Sequence, residues 1–196
     1  MLLAKNNSEE RIYALPGLKA KCPICSEEVI AKCGNINVWH WAHKSNSDCD
    51  SFGEPETKWH LNWKKVFPKK WQEVVIKKNG QVHRADVVTS LGRVIEFQNS
   101  PISEEKVLER ESFYKNMVWV LNGETIGKGI ECLTEYNWYW NRFPKSWKST
   151  TKPIYVDLGF KILLIKYFYR NHLKIELLTK DEFLKRVVLV EVPKDE

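Results

Sequence analysis

The stretch HRADVVTSLGRVIEFQNS, residues 83–100, constrains the fold more than any other part of this chain. Two strand-like runs flank Ser90-Leu91-Gly92. That composition suits a three-residue hairpin loop, a type I turn followed by glycine in the left-handed conformation. Such a loop closes the hairpin between Thr89 and Arg93. Side chains alternate along a strand. Arg84, Asp86 and Val88 therefore share one face of the first strand, and Val94, Glu96 and Gln98 share one face of the second. Counting back from the closing pair sets Val88 against Val94 and Asp86 against Glu96, with opposed residues about 5 Å apart. A two-residue loop would shift the register by one and send the carboxylates to opposite faces. Two like charges that close repel, and a bridging magnesium ion gives the arrangement a reason. The other reading is a solvated face on which Arg84 and Arg93 balance the acids.

The flanking pattern predicts an α/β domain. From Glu56 to about Phe67, Trp59, Trp63, Val66 and Phe67 recur at helical spacing, and Pro68 ends the run. WQEVVIKK reads as a strand and KNGQ as a turn. After the hairpin, SPISEEKVLERESFYKN reads as a helix with Ser103 as N-cap. MVWVLNG reads as a buried strand. The Trp- and Lys-rich segment ECLTEYNWYWNRFPKSWKSTTKP reads as a loop. PIYVDLG, FKILLIKYFY and HLKIELL read as strands, and TKDEFLKRVV as a short closing helix. The function of residues 131–196 is not legible from these patterns.

Four of the five cysteines, Cys22, Cys25, Cys33 and Cys49, lie in the first 50 residues. CPIC is followed, after fourteen residues, by HWAH. Cys22, Cys25, His40 and His43 thus form a candidate tetrahedral zinc set. Cys33 and Cys49 are available substitutes, and Cys49 could replace one histidine. A metal would supply stability that so small a core cannot. Four protein ligands leave no open position, so the site is structural rather than catalytic. The polar run KSNSDCDSFGEPE reads as a linker, which divides the chain into a module over 1–50 and a domain over 51–196.

A net charge of +6 is compatible with nucleic acid. Lys64, Lys65, Lys69 and Lys70 read as a phosphate track or a solvated face. Trp138, Trp140 and Trp147 with Lys145 and Lys148 read as a single-strand binding surface or a cover for the sheet edge. Cys132 reads as a buried apolar residue. No segment has the roughly 18 unbroken apolar residues of a membrane span, and no signal peptide is visible. The expected location is the cytoplasm, where reduced cysteines serve as metal ligands.

The run RADVV…IEFQNSPIS…ERESFY from Arg84 to Tyr114 resembles the competence protein CoiA-like family. ETKWH at Glu56–His60, VWVLNG and CPIC…HWAH fit the same pattern, over about residues 20–122. CoiA-like proteins are similar to the PD-(D/E)XK nuclease superfamily. The resemblance implies a restriction-endonuclease-like α/β core, a mixed sheet flanked by helices, with a small zinc-ribbon-like N-terminal module. It implies a metal-dependent phosphodiesterase. Asp86 and Glu96 take the places of the metal-holding acids. Glu56, on the first helix, reaches the metal through water, and His60 lies one helical turn beyond it. Gln98 stands where the superfamily has lysine. Glutamine only hydrogen-bonds, so His60, or else His83 or Arg84, would supply the missing charge or proton relay. Arg110 and Tyr114 would contact the scissile phosphate or brace the acids.

The expected function is a Mg2+- or Mn2+-dependent DNA endonuclease acting on single- or double-stranded DNA. Its setting would be DNA uptake and recombination, or defence against foreign DNA such as phage. A homodimer or a partner protein would suit double-strand cutting. The alternatives are a DNA-binding recombination accessory protein with weak or no cleavage, and a zinc-stabilised interaction module.

Overall fold

Short strands with few buried positions build the first sheet. β1 (Leu3–Lys5), β2 (Arg11–Tyr13), β3 (Lys19–Lys21), β4 (Glu28–Lys32) and β5 (His40–His43) are antiparallel, in the order β2-β1-β3-β4-β5. Their core is small: Ala4, Ala14, Ala20, Cys22, Val29 and Trp41, with Cys33 and Cys49 packed against it. The computed structural model describes residues 1–44, 49–53, 55–134, 137–169 and 172–189. The chain forms two compact units, Met1–Val87 and Val88–Glu196.

The first unit also holds α1 (Lys58–Lys64), β6 (Gln72–Lys78) and β7 (Gln81–Val88). Thr57 caps α1, accepting from the His60 backbone N–H, and the His60 side chain accepts from the Thr57 backbone N–H. The helix is shorter than its apolar stripe predicted. It begins after Glu56 and is capped by Lys65, and Val66 is 40% exposed. A 3-10 turn at Lys69–Trp71 leads into β6. β6 and β7 pair antiparallel, and Asn79 and Gly80 both take positive φ, 49° and 77°. That is the Asn-Gly turn whose twist suits a two-residue hairpin.

The second unit opens with the Ser90-Leu91-Gly92 turn. The Thr89 N–H donates to the Arg93 carbonyl at 2.9 Å, and the Gly92 N–H donates to the Thr89 carbonyl at 2.9 Å. Gly92 has φ +73°, the left-handed position the sequence required. β8 (Val94–Gln98), α2 (Glu104–Tyr114) and β9 (Met117–Asn122) form a strand–helix–strand crossover, with β8 and β9 parallel. Both strands are buried along their whole length, as parallel strands covered on both faces are. Ser103 caps α2 through the Lys106 N–H. The sheet continues with β12 (Ile154–Asp157), β13 (Ile162–Tyr169) and β14 (His172–Leu178), and α3 (Lys180–Leu189) follows. Within this unit the strand order is β10-β11-β14-β13-β12-β9-β8, where β10 is Ile130–Thr134 and β11 is Asn137–Trp140. β12 is parallel to β9 and the other added strands are antiparallel, so the sheet is mixed.

The structure decides three sequence readings in this region. The segment expected as a loop contains the β10–β11 hairpin. Trp138, Trp140 and Trp147 are 7%, 0% and 2% exposed, so they are core and not a stacking surface. Trp147 meets Trp119 edge-on at 5.1 Å. Cys132 is exposed, not buried. Among the described residues no helix is long and apolar enough to cross a membrane.

Candidate functional site

Four metal-ligating side chains converge in the first unit. The ligand atoms of Cys22, Cys25, His43 and Cys49 all lie within 4.8 Å of one another. His43 Nε2 is 3.2 Å from Cys25 Sγ and 3.6 Å from Cys49 Sγ, and the Cys22 and Cys49 sulfurs are 3.5 Å apart. A tight turn presents the first pair: the Ser26 N–H donates to the Cys22 carbonyl, and the Ile24 N–H points at Cys22 Sγ at 3.4 Å. His40 is not in the cluster. It lies three residues from His43 on β5, on the other face, and its Nδ1 sits 2.7 Å from the Val38 carbonyl. Cys49 stands in its place, while Cys33 packs on the hydrophobic core. Burial and the neighbouring Cys22 and Cys25 thiols push the Cys49 thiol well above its ordinary value. Such crowded thiols lose their protons to a metal ion, so this donor set fits one.

A second cluster in the same unit is built around Lys64. Its ammonium lies 2.8 Å from Asp86 Oδ1, 2.9 Å from Glu56 Oε1 and 3.1 Å from Glu73 Oε1, and the side chain is 2% exposed. Burial alone would discharge such a lysine. Here Asp86, Glu56 and Glu73 outweigh burial and hold its pKa well above the ordinary value. Lys64 is therefore neither a phosphate track nor a solvated face, whereas Lys65, Lys69 and Lys70 are exposed. Burial would raise the Glu73 carboxyl, but Lys64 and Arg84 hold it well below the usual range. Glu73 also accepts the Leu2 N–H at 2.9 Å and the Leu3 N–H at 2.8 Å. Arg84 lies 3.9 Å from Glu73 and is mostly buried, so its charge is directed at an acid rather than at solvent. Burial, more than its neighbours, pushes Glu56 up.

The sequence reading placed Glu56 on a helix with His60 on the same face. Glu56 instead precedes the helix cap, and His60, 3% exposed, is engaged in the capping box, its Nδ1 3.0 Å from Thr57 Oγ1. His83, another candidate for the missing charge, faces Asp50 at 3.1 Å and stacks on Phe52 at 3.5 Å. The sequence reading missed Lys64 and Glu73 as members of this cluster. Lys64 follows Trp63 on α1, and Glu73 directly precedes the apolar run Val74–Ile76; those were the available signals.

In the second unit, Glu96 and Gln98 are 3% and 0% exposed on β8. Arg110 from α2 reaches both, with Nη1 3.2 Å from Glu96 Oε2 and 3.5 Å from Gln98 Oε1. The guanidinium also lies over the Trp119 ring at 5.8 Å. The Gln98 amide donates to the Ser100 carbonyl at 2.8 Å, which fixes its orientation. Tyr114 is buried and meets Phe113 edge-on at 5.1 Å. Arg110 is therefore directed at Glu96 and Gln98.

Two family models match the chain. Residues 5–52 match the competence protein CoiA N-terminal domain, and residues 58–179 match the competence protein CoiA nuclease-like domain. No curated protein matches, and no solved structure matches. The second match alone takes in more than half of the chain and contains Lys64, Glu73, Asp86, Glu96, Gln98 and Arg110. The chain belongs to the CoiA family, with a nuclease-like domain behind an N-terminal Cys/His module that could bind a metal.

Proposed function

We propose that this protein is a divalent-metal-dependent DNA endonuclease in which Asp86 and Glu96 hold Mg2+ or Mn2+. The observation that carries the reading is the closed Thr89–Arg93 turn, with Gly92 in the left-handed conformation. Antiparallel pairing counted from that closing pair would bring Asp86 opposite Glu96. When bound, the metal would polarise a phosphodiester and lower the pKa of an attacking water.

The chain's own residues prepare the acids for that task. Lys64 orients Asp86 through Oδ1, and Arg110 orients Glu96 through Oε2. Holding carboxylates in one geometry lowers the reorganisation needed when a metal arrives. Gln98 leaves the superfamily's lysine position without a charge. The cation that meets Asp86 in its stead is Lys64, which also meets Glu56 at 2.9 Å. His60, Arg84 and Tyr114 support this arrangement, His60 by starting α1, Arg84 by pairing with Glu73 and Tyr114 by burying the last turn of α2 against Phe113. The Cys22, Cys25, His43 and Cys49 set suits structural Zn2+, since three thiolates and one imidazole favour that ion in a closed tetrahedron.

DNA uptake and recombination, or defence against foreign DNA, would both use such an activity. One observation favours a second reading, a DNA-binding accessory protein that does not cut: Gln98 is locked to Ser100 and Arg110. Incubating purified protein with plasmid and single-stranded DNA in Mg2+, Mn2+ or chelator separates the two. Cleavage that needs the metal supports the endonuclease; binding without cleavage under every condition supports the accessory protein.

A further inference from the structure

The C-terminal part of the second unit contains an open cavity of about 620 Å3. It is lined by aromatic rings and cations, among them Phe143, Phe168, Tyr167, Lys148, Lys152 and Lys166. None of these belongs to the Asp86 or Glu96 clusters. The Phe143 and Phe168 rings stack at 4.0 Å, and Tyr167 is 60% exposed. Lys148 Nζ lies 5.9 Å from the centre of the Phe168 ring. Lys166 and Arg186 share Glu176, at 2.9 and 2.6 Å, but neither Lys148 nor Lys152 is in an ion pair among the described residues.

Two structural devices shape this wall. β13 carries a bulge: Ile165 pairs with Ile175 and Tyr167 with Lys174, which leaves Lys166 as the extra residue. A bulge re-aims side chains, and this one lies in the run Lys166-Tyr167-Phe168 that lines the cavity. The opposite wall, Thr150 to Lys152, is tied down by a buried acid of α2. Glu111 accepts the Thr151 N–H at 3.1 Å, the Thr151 hydroxyl at 3.2 Å and the Thr150 hydroxyl. The groove is therefore preorganised before any ligand arrives.

We infer that this groove binds single-stranded DNA, a base on the exposed Tyr167 and phosphates at Lys148 and Lys152. Ring faces interleaved with unneutralised lysines match a strand of bases and phosphates. A cavity of this size admits extruded bases, not a paired duplex. The inference rests on the DNA-acting reading and adds a second contact away from the proposed cutting site.

The test is fluorescence anisotropy of a labelled oligothymidylate with the full chain, zinc present and other divalent metal withheld. Lys148→Glu/Lys152→Glu should weaken binding at least tenfold. It should also flatten the dependence of log affinity on log salt by roughly 0.7 per lost phosphate contact. Tyr167→Ala should weaken binding about fivefold or more with little change in salt dependence. Thermal melts of the variants should match wild type, since these side chains are at the surface. Unchanged oligothymidylate binding in the double variant would overturn the inference. So would a blunt duplex that binds as tightly as the single strand and suffers the same loss. Cleavage is scored separately. Groove-dependent binding without cutting would sink the endonuclease and leave the groove standing, and metal-dependent cutting with oligothymidylate binding unchanged in the groove variants would do the reverse.

Discussion

The Cys/His cluster and the Lys64 cluster lie in one unit and handle crowded donors in opposite ways. At Cys22, Cys25, His43 and Cys49 the donors gather within 4.8 Å of one another, and among the described residues no ion pair involves them. At Glu56, Glu73 and Asp86 a buried ammonium occupies the centre. The first cluster offers its donors to a metal ion, and the second carries its counter-charge within the sequence. The lesson is that crowded donors in one unit can be left open to an ion in one place and neutralised from within in another.

The comparison breaks first at the cysteines. Cys22→Ser, or strong chelation, should unfold the first sheet, because a structural zinc set contributes on the order of 10 kcal/mol to such modules. Amide hydrogen exchange should show protection lost over β1–β5. Retained protection would mean that the Trp41 core suffices. Lys64→Met should come next, destabilising the chain by about 3–5 kcal/mol in denaturant melts, since it removes the cation that Glu56, Glu73 and Asp86 share. If Lys64→Met melted like wild type, Lys64 would not be the internal counter-charge. Lys64→Arg should recover part of the loss.

Smaller effects sharpen the picture. Arg110→Ala should leave the fold intact and lower Mn2+ affinity or cleavage by about 10- to 100-fold, as loss of a ligand's orienting partner does. An unchanged affinity would confine Arg110 to packing on Trp119. The smallest effect belongs to Glu176, whose carboxyl hydrogen bonds from Arg186 and Lys166 hold down to about 2. A depressed folded value stabilises above the ordinary carboxylate range and is lost as pH falls from there toward 2. The groups are at the surface, so the contribution is under ~1 kcal/mol and fades in salt. Glu176→Gln should flatten the acid limb of the stability profile slightly; a steeper limb would contradict this pairing.

How legible was this in the sequence? The turn at Ser90-Leu91-Gly92 was, because only a three-residue loop with a left-handed glycine suits those residues. The Ser103 cap and the buried strand β9 were, because each carries a local signature. The same strand parity that aligned the hairpin also separates His40 from His43, and HWAH needed that rule as much as the hairpin did. Lys64 was hidden because a Lys-Lys pair on a short helix reads as solvent-facing, and only tertiary burial against Glu73 and Asp86 reveals otherwise. The β10–β11 hairpin was masked by Trp-rich composition without clean alternation. Its tryptophans serve the core, and their apparent binding partner Lys148 serves a groove lined by Phe143 and Phe168.

The central claim is that Asp86 and Glu96 form one metal-dependent cutting site. The most direct measurement is cleavage of supercoiled plasmid by zinc-loaded protein in Mn2+, comparing wild type with Asp86→Asn and Glu96→Gln. The account predicts nicking by wild type that chelator abolishes, and a loss of roughly 100-fold or more in each variant. Cleavage that persists in both variants at the wild-type rate would contradict it.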